Sequence, residues 1–157
     1  MIGYIAGNVV GVVRGTVIVE THGVGYRVVT TASTLASARE GEPLTLWTHL
    51  AVRENAHELF GFETKDELSW FELLLTVSGI GPRSALAILN AVDTKTLAEA
   101  ITRNDAGALN RAYGIGKKTA EKVVLELREK VGNVEGKDGM SGSDGDVVEA
   151  LLGLGYS

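Results

Sequence analysis

Two short runs of this 157-residue chain, Gly79-Ile80-Gly81 with Arg83 and Gly114-Ile115-Gly116 with Lys117 and Lys118, have the residue types that hold phosphate. A helix start carries unpaired N–H groups and roughly half a unit of positive charge, so an anion docks there without help from a side chain. A glycine at the turn reaches φ > 0 and lets a phosphate oxygen come close to the backbone. Gly79 and Gly114 are placed to make the turns, Gly81 and Gly116 to clear space beside the next helix, and Ile80 and Ile115 to tuck inward and lock them. Four positions after each first glycine stands a cation, Arg83 or Lys118, within one turn of the amides. Contacts of this kind position a protein on nucleic acid and carry no base sequence.

The two runs belong to a longer duplication. Leu74, Val77, Gly79, Ile80, Gly81, Ala85 and Ile88 recur 35 residues later as Leu109, Ala112, Gly114, Ile115, Gly116, Ala120 and Val123. One copying is a duplicated supersecondary unit, because stacked arrays need about three or more repeats to bury their faces. An apolar helix end, Gly-apolar-Gly and a second apolar-periodic helix make a helix-hairpin-helix. A single Gly-apolar-Gly can equally join two packed helices and bind nothing. Two in register, each with its cation, point to a nucleic-acid backbone. Pro82 stands in the first helical turn, where proline is tolerated, and its counterpart in the second copy is Lys117.

Composition bounds the alternatives. The net charge of −5 looks wrong for a DNA binder until it is divided along the chain. Residues 133–157 hold Glu135, Asp138, Asp144, Asp146 and Glu149 against Lys137, which leaves 14 basic and 15 acidic side chains in residues 1–132. Arg111, Lys117, Lys118, Lys122, Arg128 and Lys130 then cluster around the second hairpin, and a local positive face is what steers onto phosphates. There is no cysteine, so disulfides and thiolate metal sites are excluded. His22, His49 and His57 are scattered without metal spacing, and no cofactor is expected. The run Gly116 to Thr119 ends like a nucleotide-binding P-loop, but Arg111 stands where its first glycine is required. A base-excision glycosylase needs a carboxylate at the lip of a pocket; Asp93 and Asp105 read better as helix caps. No segment approaches 18 uninterrupted apolar residues and no leader pattern opens the chain, so a soluble cytoplasmic protein without membrane contact is expected.

The elements that must carry the hairpins follow from periodicity. Residues 1–63 read as strands at Ile2–Val13, Thr16–Thr21, Val24–Thr30, Leu44–Val52 and Glu58–Phe62, with turns at Arg14-Gly15 and His22–Gly25. Leu44, Leu46, Thr48, Leu50 and Val52 alternate with Thr45, Trp47, His49 and Ala51, the pattern of a half-buried strand. Five short strands suggest a small closed barrel of the OB type, with an open sheet as the competing arrangement. From Thr64 the period becomes helical, and Thr64 with Glu67 forms a capping box. Helix, hairpin, helix runs twice through residues 64–132, joined by a short helix over Asp93–Ile101. Residues 133–146 read as a Gly-rich acidic linker. Val147–Tyr156 regains an apolar helical stripe, the opening of a further domain that the chain leaves unfinished at Ser157.

MIGYIAG, HGVGYRV, VRENAHELFGF, SGIGPRSALAIL and YGIGKKTAEKVV, in that order and over essentially the whole chain, closely resemble the RuvA family of bacterial Holliday junction binding proteins. The resemblance implies an α+β multidomain protein: an OB-fold barrel, a double helix-hairpin-helix domain, a flexible linker and a small helical domain that binds the hexameric ATPase RuvB. It implies a non-enzymatic homotetramer, or two such tetramers as an octamer, that holds a four-way junction open and square-planar for branch migration in recombination and DNA repair. RuvB and the resolvase RuvC are the implied protein partners. The positions matching the family's DNA contacts are Gly79, Ile80, Gly81 and Arg83, and Gly114, Ile115, Gly116, Lys117, Lys118 and Lys122, with Arg53 near the junction centre. The family also places an acidic pin there, on the hairpin tipped here by Arg53-Glu54-Asn55. Glu54 keeps one acid and Asn55 departs from a two-acid pattern, which weakens the implied barrier. The rival reading is a duplex-binding helix-hairpin-helix accessory subunit of a nuclease.

Overall fold

A computed structural model describes residues 1–135, which form two compact units divided between Leu68 and Ser69. The expected linker beyond Glu135 and the expected opening of a further domain at 147–157 lie outside the described residues.

In the first unit β1 (Tyr4–Val13), β2 (Thr16–Thr21), β3 (Val24–Thr30), β4 (Pro43–Arg53) and β5 (Ala56–Phe62) close into a barrel in the order β1-β2-β3-β5-β4. The open-sheet alternative is thereby excluded. The first two connections are tight hairpins at Arg14-Gly15 and His22-Gly23, where both residues of each turn have positive φ, as the right-handed twist of the flanking strands requires. β3 and β5 pair in parallel, which a hairpin cannot achieve, so the chain crosses over through α1 (Ala32–Ser37) and β4. α1 has no counterpart in the sequence reading because six residues are too few to show an apolar period. Ile5, Val9, Val17, Val19, Val28, Leu46 and Leu59 fill the barrel.

The expected alternation in β4 holds for Leu44, Leu46 and Leu50, which pack on that core, and for Thr48, which is buried and donates its hydroxyl to the Ile2 carbonyl at 2.6 Å. It fails at Val52, which is 63% exposed. From Val52 to His57 the β4–β5 ribbon pairs with no third strand and every residue is exposed, whereas Ala51, on the opposite side of the alternation, is still buried. Both strands also run farther than expected, to Arg53 and from Ala56, leaving Glu54-Asn55 as a two-residue tip.

α2 (Lys65–Leu75) starts at the capping box: the Glu67 amide donates to Thr64 Oγ1 at 3.2 Å and the Thr64 amide to Glu67 Oε2 at 3.3 Å. α3 (Pro82–Ala91), α4 (Thr94–Thr102), α5 (Ala106–Tyr113) and α6 (Lys117–Glu135) follow. Asp93 caps α4 by accepting from the Thr96 amide at 2.9 Å, and Asp105 caps α5 by accepting from Ala108 at 2.8 Å, so both expected caps are in place. The Thr96 amide, then its hydroxyl, hold the Asp93 carboxyl below the usual carboxylate range. Of the repeated apolar positions, Leu74, Val77, Ile80, Ala85 and Ile88 are buried, as are Leu109, Ile115, Ala120 and Val123, whereas Ala112, the counterpart of Val77, is exposed. α6 passes through Gly132 to Glu135, so the first residues assigned to the linker continue the helix.

Candidate nucleic-acid interface

The first hairpin turns between α2 and α3. Gly79 has φ +82, a conformation L side chains rarely adopt, and Gly81 is the N-cap of α3 with extended backbone and Pro82 behind it. Ile80 is buried, and its amide donates to the Val77 carbonyl at 3.0 Å, locking the turn inward as its type predicts. Gly79 is exposed, and Gly81 lacks a side-chain cap. Their amides take no backbone acceptor among the described residues. Arg83 is exposed one residue into the helix beyond Pro82.

The second hairpin turns between α5 and α6. Gly114 closes α5 in the left-handed region at φ +68, its amide donating to Asn110 at 3.2 Å. The Asn110 side-chain amide donates in turn to the Ile115 carbonyl at 2.8 Å, and Ile115 is buried. Gly116, Lys117 and Lys118 are all exposed at the start of α6. Lys117 lies 3.9 Å from Glu121, an exposed pair that costs an approaching phosphate little to break. Neither glycine turn is sealed inside the protein, and each has exposed cations beside its open amides.

One predicted residue belongs elsewhere. Lys122 follows the second hairpin in sequence, yet its Nζ donates to Ser78 Oγ at 3.4 Å and lies 3.4 Å from where a Cβ on Gly79 would sit. It therefore adds a cation to the first hairpin rather than the second. The sequence reading missed Glu126 and grouped Lys130 with the second hairpin; both follow Lys122 on the same face of α6 at a spacing of four. The Ser78 amide donates to Glu126 Oε2 at 3.0 Å, and Lys130 Nζ donates to the Thr76 carbonyl at 3.2 Å and to the Thr76 hydroxyl. The spacing of these three charges was visible, but their target 44 to 54 residues away was not.

Arg53, Glu54 and Asn55 sit in the first unit, exposed at the tip of the β4–β5 ribbon. Arg53 pairs through its backbone with Ala56 and closes the hairpin. The tip thus presents one carboxylate on a narrow two-stranded support.

Comparison with known proteins agrees with both units. Residues 1–61 match the RuvA N-terminal domain, and residues 71–129 match a SAM-like helix-hairpin-helix tandem. The chain is similar over its whole length to the Holliday junction branch migration complex subunit RuvA of Cupriavidus necator, with 46% identity over 162 residues and 84% of that protein covered. The chain belongs to the RuvA family. RuvA of Bordetella avium is 45% identical over 160 residues, and RuvA of Mycobacterium sp. strain KMS is 43% identical over 162, with 84% and 83% of those proteins covered. Among the described residues no helix is long and apolar enough to cross a membrane, and no three His, Asp or Glu side chains are placed to hold a metal.

Proposed function

We propose that this protein binds four-way DNA junctions through the sugar-phosphate backbone and holds them open for branch migration by an ATP-driven motor. The observation that carries the reading is the pair of exposed glycine turns, each locked by a buried isoleucine and each bordered by cations. Gly79, Gly81, Arg83 and Lys122 grip one strand, and Gly114, Gly116, Lys117 and Lys118 another. Ile80 and Ile115 hold the turns in shape. The relatives are named as subunits of a Holliday junction branch migration complex, and the same assembly, a homotetramer working with RuvB and alongside RuvC, is the reading for this chain. Its role is non-catalytic: it supplies geometry, and the motor supplies the energy.

Arg53 and Glu54 give the junction centre its two signs of charge. Arg53 draws in the exchanging strands. Glu54, repeated around a fourfold axis, repels a continuous duplex there and keeps the strands apart. A nuclease accessory subunit would need the hairpins but has no use for an acid-tipped ribbon.

The test is fluorescence transfer between dyes on the arm ends of an immobile junction, in magnesium, with and without protein. Equal distances between all neighbouring arms on binding support the open square; retention of the stacked pairs overturns it. Glu54→Gln is expected to leave folding intact and to improve binding to linear duplex, measured by titration at fixed salt. No gain on duplex removes the pin from the account.

A further inference from the structure

Glu126 places a carboxylate where the proposed function wants none. It is half-buried, and it sits on the turn that is read as gripping a phosphate, where its charge opposes the ligand. What it does there is visible in its partner. The Ser78 amide points at Glu126 Oε2 at 3.0 Å, a charge-assisted bond of roughly twice the strength of a neutral one. Four residues earlier on α6, Lys122 donates to the same serine's hydroxyl, and four residues later Lys130 holds both oxygens of Thr76. Thr76 also donates its hydroxyl to the Leu73 carbonyl at 2.7 Å. Residues spaced by four lie along one face of a helix, over a rise of about 12 Å from first to third. Three charges spaced by four on α6 thus fasten the segment Thr76–Gly79.

The duplicate half does not repeat the first two of these charges. Thirty-five residues before Lys122 and Glu126 stand Ala87 and Ala91 on α3, neither of which has a charge to offer the second turn. The Lys122–Glu126 part of the brace thus has no counterpart at the matching positions of α3, and it joins the halves: α6 starts at the second hairpin and its middle holds the first.

Resting on the phosphate-binding reading above, we infer that Glu126 is a positioning residue for the first hairpin. By holding the Ser78 amide it fixes the turn so that the Lys122 ammonium stands beside Gly79, ready for a phosphodiester that the Gly79 and Gly81 amides face. The first grip therefore works only while α6 is docked on it, and it takes its cation from the second copy. Lys130 secures the far end of the same segment.

The test is a pair of double-mutant cycles on the full chain, read as affinity for a four-way junction at fixed salt. Glu126→Ala is expected to weaken binding on the order of tenfold, the worth of one hydrogen bond to a charged group. Combined with Lys122→Ala it is expected to add little further loss, a departure from additivity of at least about threefold, because both act on one turn. Combined with Lys118→Ala, at the other hairpin, the losses multiply. Glu126→Gln, which keeps an acceptor of the same shape, restores most of the affinity. Hydrogen exchange of the free protein adds a readout without DNA: the Ser78 amide loses protection in Glu126→Ala while the core amides of α6 keep theirs.

Additive losses with both lysines, or tighter junction binding by Glu126→Ala, overturn the proposal while leaving the phosphate reading intact. Binding that is indifferent to Lys118→Ala and Lys122→Ala alike overturns the phosphate reading and this proposal with it.

Discussion

The two hairpins descend from one pattern and solve the same problem differently. The first is poor in cations of its own, with Pro82 and Arg83 after its second glycine, and it is held by Lys122, Glu126 and Lys130 from a helix far along the chain. The second carries Lys117 and Lys118 on an exposed helix start, and Asn110 ties its turn through both its carbonyl and its side chain. A turn that is braced from outside needs few charges, because its amides are already aimed. A turn with exposed cations of its own can rely on charge, which acts over a Debye length of about 8 Å at physiological salt and tolerates looser geometry. On the proposed phosphate-binding reading, duplication supplied two cradles, and divergence made one of them chiefly a matter of shape and the other chiefly a matter of charge.

Six substitutions, grouped into four comparisons, can break or sharpen that contrast. The largest effect is expected in the cores of the turns: Ile80→Ala and Ile115→Ala each remove an equally buried side chain, at a cost of about 2–4 kcal/mol. Urea unfolding followed by near-ultraviolet absorption of the helical unit measures both, and a clearly smaller loss at Ile80 would show that the α6 brace holds the turn without it. Next comes charge. Lys118→Glu is expected to lower affinity for every DNA sequence alike, by roughly tenfold or more, and to flatten the log-log salt dependence by about 0.9 for each phosphate no longer neutralised. An unchanged slope would take the second hairpin out of the charge-driven class.

Backbone conformation ranks third. Gly79→Ala and Gly114→Ala force an L residue into φ +82 and φ +68, at a cost of about 1–2 kcal/mol each. At Gly114 the added methyl meets open space, whereas at Gly79 it meets Lys122 Nζ. Gly79→Ala should accordingly be the costlier for junction affinity, and equal binding losses would deny Lys122 its place at the first turn. The smallest effect lies at Asp93, which caps the helix that links the two copies. Asp93→Ala is expected to cost about 1 kcal/mol of stability at neutral pH. Because its carboxyl titrates lower in the folded than in the unfolded chain, the contribution is complete above the unfolded value near 4 and is lost as pH falls through the folded one. Thermal melts from pH 6 to pH 3 should show the variant and the parent converging at the acid end.

Much of this architecture is legible in the amino-acid sequence alone. Local signals are sufficient wherever structure is local: the Thr64–Glu67 box, the Asp93 and Asp105 caps, the Arg14-Gly15 and His22-Gly23 turns and the two glycine hairpins are each decided by residues a few positions apart. Three of the features that escape it are instructive. The exposure of Val52 follows from where β4 loses its third neighbour, which alternation within one strand does not report. The run of α6 through Gly132 shows a single glycine, worth about 1 kcal/mol, failing to stop a helix. The assignment of Lys122 to the second hairpin follows its place in the chain, and only the folding of α6 back onto Thr76–Gly79 moves it to the first. Spacing of four along α6 announces a face; it does not announce which turn that face will meet.

The most direct measurement is a competition titration of a labelled four-way junction against linear duplex of equal length and composition, at one salt concentration. If paired cradles and an acid-tipped ribbon are assembled around a crossover, duplex should displace the junction only at large excess. Displacement at equal concentration would mean that the hairpins hold any double helix and that the junction has no special place in what this protein does.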